Sequence, residues 1–340
     1  MEQVSIIGLD LAKTSFQAHG AGANGSVVFR KKLSRGKVLS FLKSQPRCVV
    51  AMEACASAHY WGREISRLGH EVRLIPPSYV KPFVKRQKND AADAEAIAEA
   101  ASRATMRFVP VKSEEKQALG MPFGVRDLLV RQRTQTINAL RGHLAEFGLV
   151  APQGRAQIGR LRAAVEEASG TLPKAVVEVA TMLFEQIDML SERIDQLERR
   201  VRARARKDEE TRRLMTVPGI GSVCAAAIEA YAPPMEQFEN GRHFSAWLGL
   251  TPRQHSTGGK TTLGRTSKMG QGTIRRLLII GAMSVVRWAS RNGTKDPWLA
   301  SMLKSKPRML VAVALANKMA RIIWAMSVKK EDYRAPAATA

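Results

Sequence analysis

The chain has 340 residues, 45% of them hydrophobic, which is enough to bury the cores of two or three domains. Its 54 basic and 30 acidic residues give a net charge of +24, which points to nucleic acid or an anionic membrane surface as a partner. The longest apolar run, residues 277–286, is too short to span a bilayer, so we favour nucleic acid. The three cysteines are odd in number and widely spaced, so neither a disulfide framework nor a zinc site is indicated. Residues 1–3 open no signal peptide, so we expect a reducing, cytoplasmic location.

Strand and helix patterns alternate through the first part of the chain. Short apolar runs between turn residues predict strands, and amphipathic or alanine-rich runs predict helices. The predicted strands are residues 4–10, 14–19, 26–33, 48–53 and 72–75, and the predicted helices are residues 36–44, residues 60–68 and a segment that starts at Asp90. The first three strands make an antiparallel start, and the alternation that follows implies a layered α/β domain.

Four acidic residues stand at ends of these elements. Asn89 caps an alanine-rich helix in which Asp90 and Asp93 are three residues apart, so both carboxylates leave its first turn on one face. Asp10 and Glu53 each end a strand, and open α/β sheets place their sites at such edges. Close carboxylates repel unless divalent cations lie among them, so we predict two magnesium ions acting on a phosphodiester. The alternative is that these acids only offset a helix dipole, form turns or lie solvated at the sheet edge.

A basic, helical segment follows residue 111. We predict a helix over residues 125–147, preceded by a helix break at residues 121–124, because the proline and the glycine in this stretch disfavour helix. Arg126, Arg131 and Arg133 lie on the predicted helix. They are either packing residues or nucleic-acid contacts, and the charge alone leaves both interpretations open.

A heptad pattern begins after a boundary at residues 152–154. Its apolar residues alternate spacings of four and three, as in the a/d seam of a coiled coil. They are Leu183, Ile187, Leu190, Ile194, Leu197 and Val201. The seam predicts either a coiled coil between two chains or an intramolecular hairpin with a preceding helix over residues 165–178. The basic run over residues 199–207 predicts a face that tracks phosphates, with a solvated face as the alternative.

Two glycine-containing segments in the C-terminal part of the chain have residues that suit contact with a phosphate. Gly219 and Gly221 lie in a Pro-Gly-Ile-Gly turn that resembles a helix-hairpin-helix, where backbone N–H groups reach a phosphate; a tight helix connection is the alternative. Ser256 lies in a polar loop followed by three basic residues that can hold a phosphate, Lys260, Arg265 and Lys268. A serine in such a loop is otherwise a turn residue.

Several of these motifs resemble those of one known family. Residues 8–10 (GLD), 52–54 (MEA) and 88–94 (KNDAADA) look like the acidic motifs of the DEDD transposases of the insertion-sequence one-ten family. Residues 249–252 (GLTP), 255–260 (HSTGGK) and 267–270 (SKMG) look like the C-terminal transposase domain of that family. The resemblance implies an RNase H-like (RuvC-type) N-terminal domain whose metal-binding tetrad falls on Asp10, Glu53, Asp90 and Asp93.

The resemblance also implies a mechanism and partners. Ser256 would be the nucleophile, with Thr257 and Ser267 as weaker candidates, and it would form a 5′-phosphoserine on DNA with assistance from magnesium. A structured guide RNA from the non-coding end of the element would select donor and target DNA. The family acts as an oligomer, from dimer to tetramer, in which different protomers supply the tetrad and the serine. The cell compartment would be the bacterial cytoplasm, at the nucleoid.

We therefore expect an α/β domain joined to an all-α remainder. The expected domains are an RNase H-like catalytic domain (1–115), a basic helical and coiled-coil region (116–212), a helical C-terminal transposase domain (213–328) with the hairpin-like turn, and a flexible tail (329–340). The expected function is RNA-guided insertion and excision of a mobile element. A metal-dependent junction-resolving nuclease and a non-catalytic nucleic-acid-binding protein are the alternatives.

Overall fold

The computed structural model describes residues 3–85 and 89–335, so Lys88 of the acidic helix motif and the last five residues of the expected tail lie outside the described residues. The chain divides into two compact units, Met1–Gln117 and Ala118–Ala340. Each unit has its own buried core.

The first unit is a five-stranded mixed sheet with helices on both faces. Its strands are β1 (Ile6–Asp10), β2 (Ser15–Ala21), β3 (Val27–Ser34), β4 (Val49–Glu53) and β5 (Glu71–Ile75), and its helices are α1 (Val38–Lys43), α2 (Ala58–Arg67), α3 (Pro77–Val80) and α4 (Asp90–Ala101). The strand order is β3-β2-β1-β4-β5, in which β1 to β3 are antiparallel and β1, β4 and β5 are parallel. The sequence prediction of these strands is confirmed, and their ends differ by about two residues.

Alternation along the strands divides the buried residues between two layers. Ile7 and Leu9 of β1 lie in one core with Trp61 of α2, and Ala51 of β4 lies on the opposite face with Ile97 of α4. This period of two is the pattern expected of a sheet covered on both sides. The sheet is therefore a middle layer, and its edge at the ends of β1 and β4 is left free of either core.

The second unit is largely helical. Its helices are α5 (Glu114–Ala145, which begins in the first unit), α6 (Ile158–Glu167), α7 (Lys174–Ala205), α8 (Glu209–Leu214), α9 (Ser222–Tyr231), α10 (Gly241–Trp247), α11 (Gly272–Asn292), α12 (Pro297–Ser305) and α13 (Arg308–Lys329). One core joins α9, α10, α11 and α13, and another joins the ends of α5, α6 and α7. The unit also contains a two-stranded hairpin, β6 (Pro252–Gln254) and β7 (Leu263–Thr266), which the sequence analysis interpreted as a loop.

Helix α5 corrects the predicted helix break, because it continues through Pro122. A proline inside a helix removes one backbone hydrogen bond. Here the neighbouring Phe123 is buried and contacts Tyr231, with ring centroids 5.7 Å apart, and the Tyr231 hydroxyl donates to the Gly120 carbonyl at 2.8 Å. These tertiary contacts offset the local cost of the proline.

The seam on α7 is partly buried within the chain. Ile187, Leu190 and Ile194 are each at most 3% exposed. Ile187 lies in the core that α5 and α6 share with α7, so the intramolecular alternative accounts for this half of the seam. The partner predicted at residues 165–178 was wrong, because the chain is not helical between the end of α6 at Glu167 and the start of α7 at Lys174.

Among the described residues, α13 is the helix that is long and apolar enough to cross a membrane by length and composition. Core helices pass the same test, and Val311, Leu315 and Ile323 of α13 are buried in the core of the second unit. By length and composition, α13 is therefore a stronger candidate than residues 277–286, which remain the longest uninterrupted apolar run. Helix α13 packs mainly against α11 and α10, as a core helix does.

Candidate metal centre and serine hairpin

The predicted tetrad lies at one edge of the sheet in the first unit. Asp10 ends β1 and Glu53 ends β4, and these neighbouring strands are parallel, with Leu9 paired to Met52. Parallel neighbours end at the same edge, so the two acidic residues are adjacent there. Asn89 caps α4 as predicted, since its side-chain oxygen accepts a hydrogen bond from the Ala92 N–H at 2.8 Å.

A glycine in β1 lets α4 come close to the sheet. A Cβ atom at Gly8 would lie 2.1 Å from the Ala94 carbonyl oxygen and 2.7 Å from the Ala98 backbone nitrogen, both in α4. Only a residue without a side chain fits against a helix backbone at this distance. Gly8 therefore sets the separation of β1 and α4, and the sequence analysis noted it only as part of a motif. Asp10, two residues further along β1, points to the same face of the sheet.

The three aspartates converge. Carboxylate oxygens of Asp10, Asp90 and Asp93 lie within 4.8 Å of one another, and Glu53 lies near enough to repel Asp10. Burial, followed by repulsion from Asp93, Asp90 and Glu53, raises the pKa of Asp10 from 3.8 to about 6, although a hydrogen bond from Leu11 opposes this shift. The cluster therefore stores electrostatic repulsion that a cation would relieve.

The donor set suits a hard divalent cation. All ligand atoms offered by Asp10, Asp90 and Asp93 are carboxylate oxygens, which magnesium, manganese and calcium prefer over nitrogen or sulfur. Asp90 is exposed while Asp10 and Asp93 are half-buried, so the cluster is open to solvent and to a large substrate on one side. The arrangement can hold cations against a phosphodiester that approaches the sheet edge.

Ser256 lies in the second unit, on the β6–β7 hairpin. Gly258 and Gly259 at its tip have φ values of +54° and +77°, and Thr257 and Lys260 flank them as a backbone-paired bridge. Two consecutive residues with positive φ are typical of a type I′ turn, which glycines adopt without strain. Residues 252–265 of the hairpin are exposed, so the Ser256 hydroxyl is accessible to a macromolecule.

The base of this hairpin is held rigidly. Arg275 of α11 donates to the Leu248 carbonyl at 2.9 Å and to the Met269 carbonyl at 2.8 Å, so one side chain joins the two segments that flank the hairpin. A Cβ atom at Gly270 would lie 1.7 Å from the Trp247 carbonyl oxygen, which shows how closely these segments approach. Ser267 lies at this base, half-buried, with its N–H bonded to Thr251. Arg275 was missed by the sequence analysis because nothing local distinguishes it from other arginines.

His255 lies beside Gly264, across the hairpin. The His255 N–H bonds to the Thr262 carbonyl at 2.9 Å, and a Cβ atom at Gly264 would lie 3.2 Å from the His255 ring. Among the described residues, the His255 ring forms no hydrogen bond with the Ser256 hydroxyl, so the geometry does not support His255 as the base for Ser256.

The predicted nucleic-acid contacts on α5 differ in their surroundings. Arg126 donates from Nε and Nη2 to one carboxylate oxygen of Glu198, at 2.9 and 2.7 Å. Arg133 is 9% exposed and donates to the Ser191 hydroxyl at 3.2 Å, and its burial lowers its pKa. Both fasten α5 to α7, so the packing interpretation describes them better, and burial corrects the surface contact proposed for Arg133. Arg131 is exposed.

The glycine turn and the basic residues near Ser256 also have defined positions. Gly219 has a φ of +87°, and a Cβ atom there would lie 2.8 Å from the Gly281 carbonyl oxygen, so close helix packing already requires this glycine. Gly221 is exposed and precedes α9. Three basic residues, Lys260, Arg265 and Lys268, are exposed on the hairpin or directly after it.

The sheet order and the acidic edge define the class of this protein. A mixed sheet with an antiparallel start, acids at the ends of two central parallel strands and two more on a helix packed over them form an RNase H-like DEDD domain. Domains of this class use divalent metals. The chain belongs to the IS110 family of DEDD transposases: a DEDD transposase model of that family matches residues 7–148, and a model described as "Transposase IS116/IS110/IS902 family" matches residues 211–297.

Curated relatives agree over nearly the whole chain. A "Probable family 20 transposase" of Pseudomonas aeruginosa is 49% identical over 97% of this chain and 99% of its own length. The "Transposase for insertion sequence element IS1328" of Yersinia enterocolitica is 42% identical over 97% of this chain and 98% of its own. The "Transposase for insertion sequence element IS1111A" of Coxiella burnetii is 38% identical over 98% and 92%. The protein is therefore a transposase, an enzyme that acts on DNA.

Proposed function

We propose that this transposase inserts and excises its own mobile element under the guidance of an RNA, through a 5′-phosphoserine intermediate on Ser256. The convergence of Asp10, Asp90 and Asp93 at the open sheet edge carries this proposal, because it supplies a site for phosphodiester chemistry. Ser256 supplies the nucleophile, because it is accessible and lies on a hairpin whose base is held by Arg275. We propose that one reaction uses both features, since two transposase models of the family match the regions that carry them.

The serine step exchanges one phosphoester for another. The Ser256 oxygen forms a bond to phosphorus while the bond from phosphorus to the 3′ oxygen breaks. The serine hydroxyl gives up its proton, and the departing 3′ oxygen takes one, so the products are a 5′-phosphoserine and a free 3′ hydroxyl. Because the number of phosphoester bonds is unchanged, the reverse reaction reseals exchanged strands without ATP. Lys260, Arg265 and Lys268 hold the phosphates near the serine.

Asp10, Glu53, Asp90 and Asp93 would hold the divalent cations, which we propose are two magnesium ions. When bound, such ions polarise the phosphate and stabilise negative charge on its oxygens. The packing of α4 on Gly8 and the Asn89 cap keep these carboxylates close together. Magnesium fits because every available donor is a carboxylate oxygen.

The proposed partners are donor and target DNA, a structured guide RNA from the element's non-coding end, and further copies of the chain. The net charge of +24 suits binding to two nucleic acids at once. The exposed Gly221 turn and the basic end of α7 are the surfaces we propose for backbone contacts. We propose a dimer to tetramer that acts at the bacterial nucleoid in the cytoplasm.

The test is a search for protein-linked DNA. Purified protein is mixed with magnesium, RNA transcribed from the element's flank and labelled DNA carrying the element junction, and the products are separated on a denaturing gel. We expect a slowly migrating adduct that disappears in Ser256→Ala and persists in the matched neighbour Thr257→Ala. Chelation of the metal and Asp90→Asn should both abolish it.

The same gel separates the alternatives. Free cleaved strands that persist in Ser256→Ala, without any adduct, would show a metal-dependent nuclease in which water is the nucleophile. Binding without cleavage in wild-type protein and in Asp90→Asn alike would show a nucleic-acid-binding protein without catalysis. Both outcomes would contradict the serine mechanism.

A further inference from the structure

Arg35 lies at the same edge of the sheet as the acidic cluster. Strand β1 ends at Asp10, and β3, two positions away in the strand order, ends at Ser34 in the same direction. The Arg35 N–H, directly after β3, bonds to the Thr14 carbonyl at 2.9 Å and fixes the backbone there. Measured across the sheet, the ends of β1 and β3 are two strand spacings apart, and each spacing is about 4.8 Å. One strand of DNA covers this separation in a few nucleotides.

The guanidinium of Arg35 rests on aromatic rings rather than on a carboxylate. Its central carbon lies 5.1 Å from the centre of the Trp61 ring and 5.9 Å from that of Phe16. Both rings are buried and contact each other edge to face, with centroids 5.0 Å apart, so they form a rigid support. A stacked guanidinium keeps its N–H donors at its rim available for a phosphate.

Five other arginines of this unit form ion pairs within the chain, whereas Arg47 and Arg107, like Arg35, form none among the described residues. In the part of the chain that the structure describes, ion pairs with glutamates engage the side chains of Arg30, Arg63, Arg67, Arg73 and Arg103. Arg35 is exposed and forms no such pair with the described residues. Its charge is therefore available to an anion from outside the protein.

We propose that Arg35 binds a backbone phosphate of the DNA strand that enters the acidic cluster. This inference rests on the proposed function in that the acidic cluster is taken as the site where DNA reacts. Trp61, which supports Arg35, belongs to the α2 face of the sheet, and Asp10 belongs to the α4 face. A strand of DNA that crosses this edge of the sheet would therefore contact Arg35 on one face and the carboxylates on the other. Arg35 thereby draws a polyanion toward a cluster of negative charge, which would otherwise repel it.

The test measures binding of the full-length protein to a fluorescein-labelled DNA duplex of arbitrary sequence, in EDTA, over a series of salt concentrations. We expect Arg35→Ala to weaken binding about 3- to 10-fold at moderate salt and to reduce the slope of log affinity against log salt by about one phosphate contact. Arg35→Lys should restore the slope but only part of the affinity, because it keeps the charge and loses the stacked fork.

The matched control is Arg47→Ala. Arg47 is also exposed, but it precedes β4 at the opposite edge of the sheet, so its loss should leave the slope unchanged. Circular dichroism melts confirm that each variant is folded. An unchanged slope in Arg35→Ala, or an equal reduction in Arg47→Ala, would overturn the inference.

A second readout separates this inference from the proposed function. In the adduct assay, Arg35→Ala should raise the DNA concentration needed for half-maximal rate several-fold while leaving the rate at saturating DNA near that of wild type. A reduced salt slope without any adduct in wild-type protein would leave Arg35 as a DNA contact and overturn only the serine mechanism. An adduct formed with wild-type DNA dependence in Arg35→Ala would overturn only the Arg35 contact.

Discussion

The protonation of Asp10 links the stability of the fold to cation binding at the proposed metal site. Its pKa is raised to about 6 by burial and by three neighbouring acids, so the folded chain holds a proton there that the unfolded chain has already lost above pH 4. The contribution of Asp10 to stability in the absence of metal therefore falls as the pH rises from about 4 through about 6. Bound cations reverse this trend because they favour the ionised carboxylates.

Relative to Asp10→Asn, we accordingly expect the metal-free protein to be less stable at pH 7.5 than at pH 5.5 by roughly 0.5 kcal/mol, because folded Asp10 still holds most of its proton at pH 5.5 and has lost it at pH 7.5. The melting temperatures of the two proteins measure this difference. Millimolar magnesium should raise the melting temperature at pH 7.5 and much less at pH 5.5, where Asp10 is partly protonated. His19 and His59, whose pKa values burial lowers, oppose this trend in both proteins, so only the difference between wild type and Asp10→Asn reports on Asp10. An equal magnesium effect at both pH values would contradict the assignment.

Gly8 permits a prediction about packing. Gly8→Ala should destabilise the protein by about 1–3 kcal/mol, because the new methyl group would overlap backbone atoms of α4, which cannot rotate away as a side chain can. The displaced helix should also weaken the stabilisation by magnesium. The measurement is urea unfolding with and without magnesium.

The control for Gly8 is Gly36→Ala. A Cβ atom at Gly36 meets no atom within 4 Å, so this variant should be neutral or slightly more stable. If Gly8→Ala were as mild as Gly36→Ala, the close approach of α4 would not be what sets the cluster.

At the scale of elements, the serine hairpin depends on α11 for its position. Arg275→Met should cost about 1–3 kcal/mol, because the carbonyls of Leu248 and Met269 would lose their donor. It should also lower the rate of adduct formation at least tenfold, since the base of the hairpin would no longer be fixed. Limited proteolysis should cleave the variant between β6 and β7 faster than wild type.

Arg291→Met is the matched control on the same helix. Arg291 is exposed in the last turn of α11, so its loss should change stability by less than about 0.5 kcal/mol and leave the hairpin protected from protease. Equal proteolysis of the two variants would show that the hairpin does not depend on Arg275.

Elements with a strong periodic pattern were predictable, and elements that depend on distant contacts were not. The strands that carry Asp10 and Glu53 follow from buried apolar runs, and their adjacency follows from the rule that parallel strands end at a shared edge. The β6–β7 hairpin was missed because its arms are exposed and so lack apolar alternation. The helix through Pro122 was missed because Tyr231, 111 residues from the Gly120 carbonyl to which it donates, helps hold it.

At the scale of the whole molecule, two separate cores carry the two proposed functional groups. The tetrad lies in Met1–Gln117 and Ser256 lies in Ala118–Ala340, and each unit buries its own apolar residues. A single substitution at an exposed functional residue should therefore leave the other unit folded. Asp90 and Ser256 are both exposed, which makes them suitable for this purpose.

This independence allows a test of which protomer supplies each group. We expect Asp90→Asn and Ser256→Ala to be inactive alone, since each lacks one half of the chemistry, and we expect an equal mixture to recover adduct formation to between a tenth and a half of the wild-type rate. Recovery occurs only if the tetrad of one protomer acts with the serine of another, because no chain in the mixture carries both groups. The control is a mixture of Asp90→Asn with the double variant, which should stay inactive. An inactive mixture of the two single variants, despite subunit exchange verified by pull-down of differently tagged chains, would show that both groups must come from one chain.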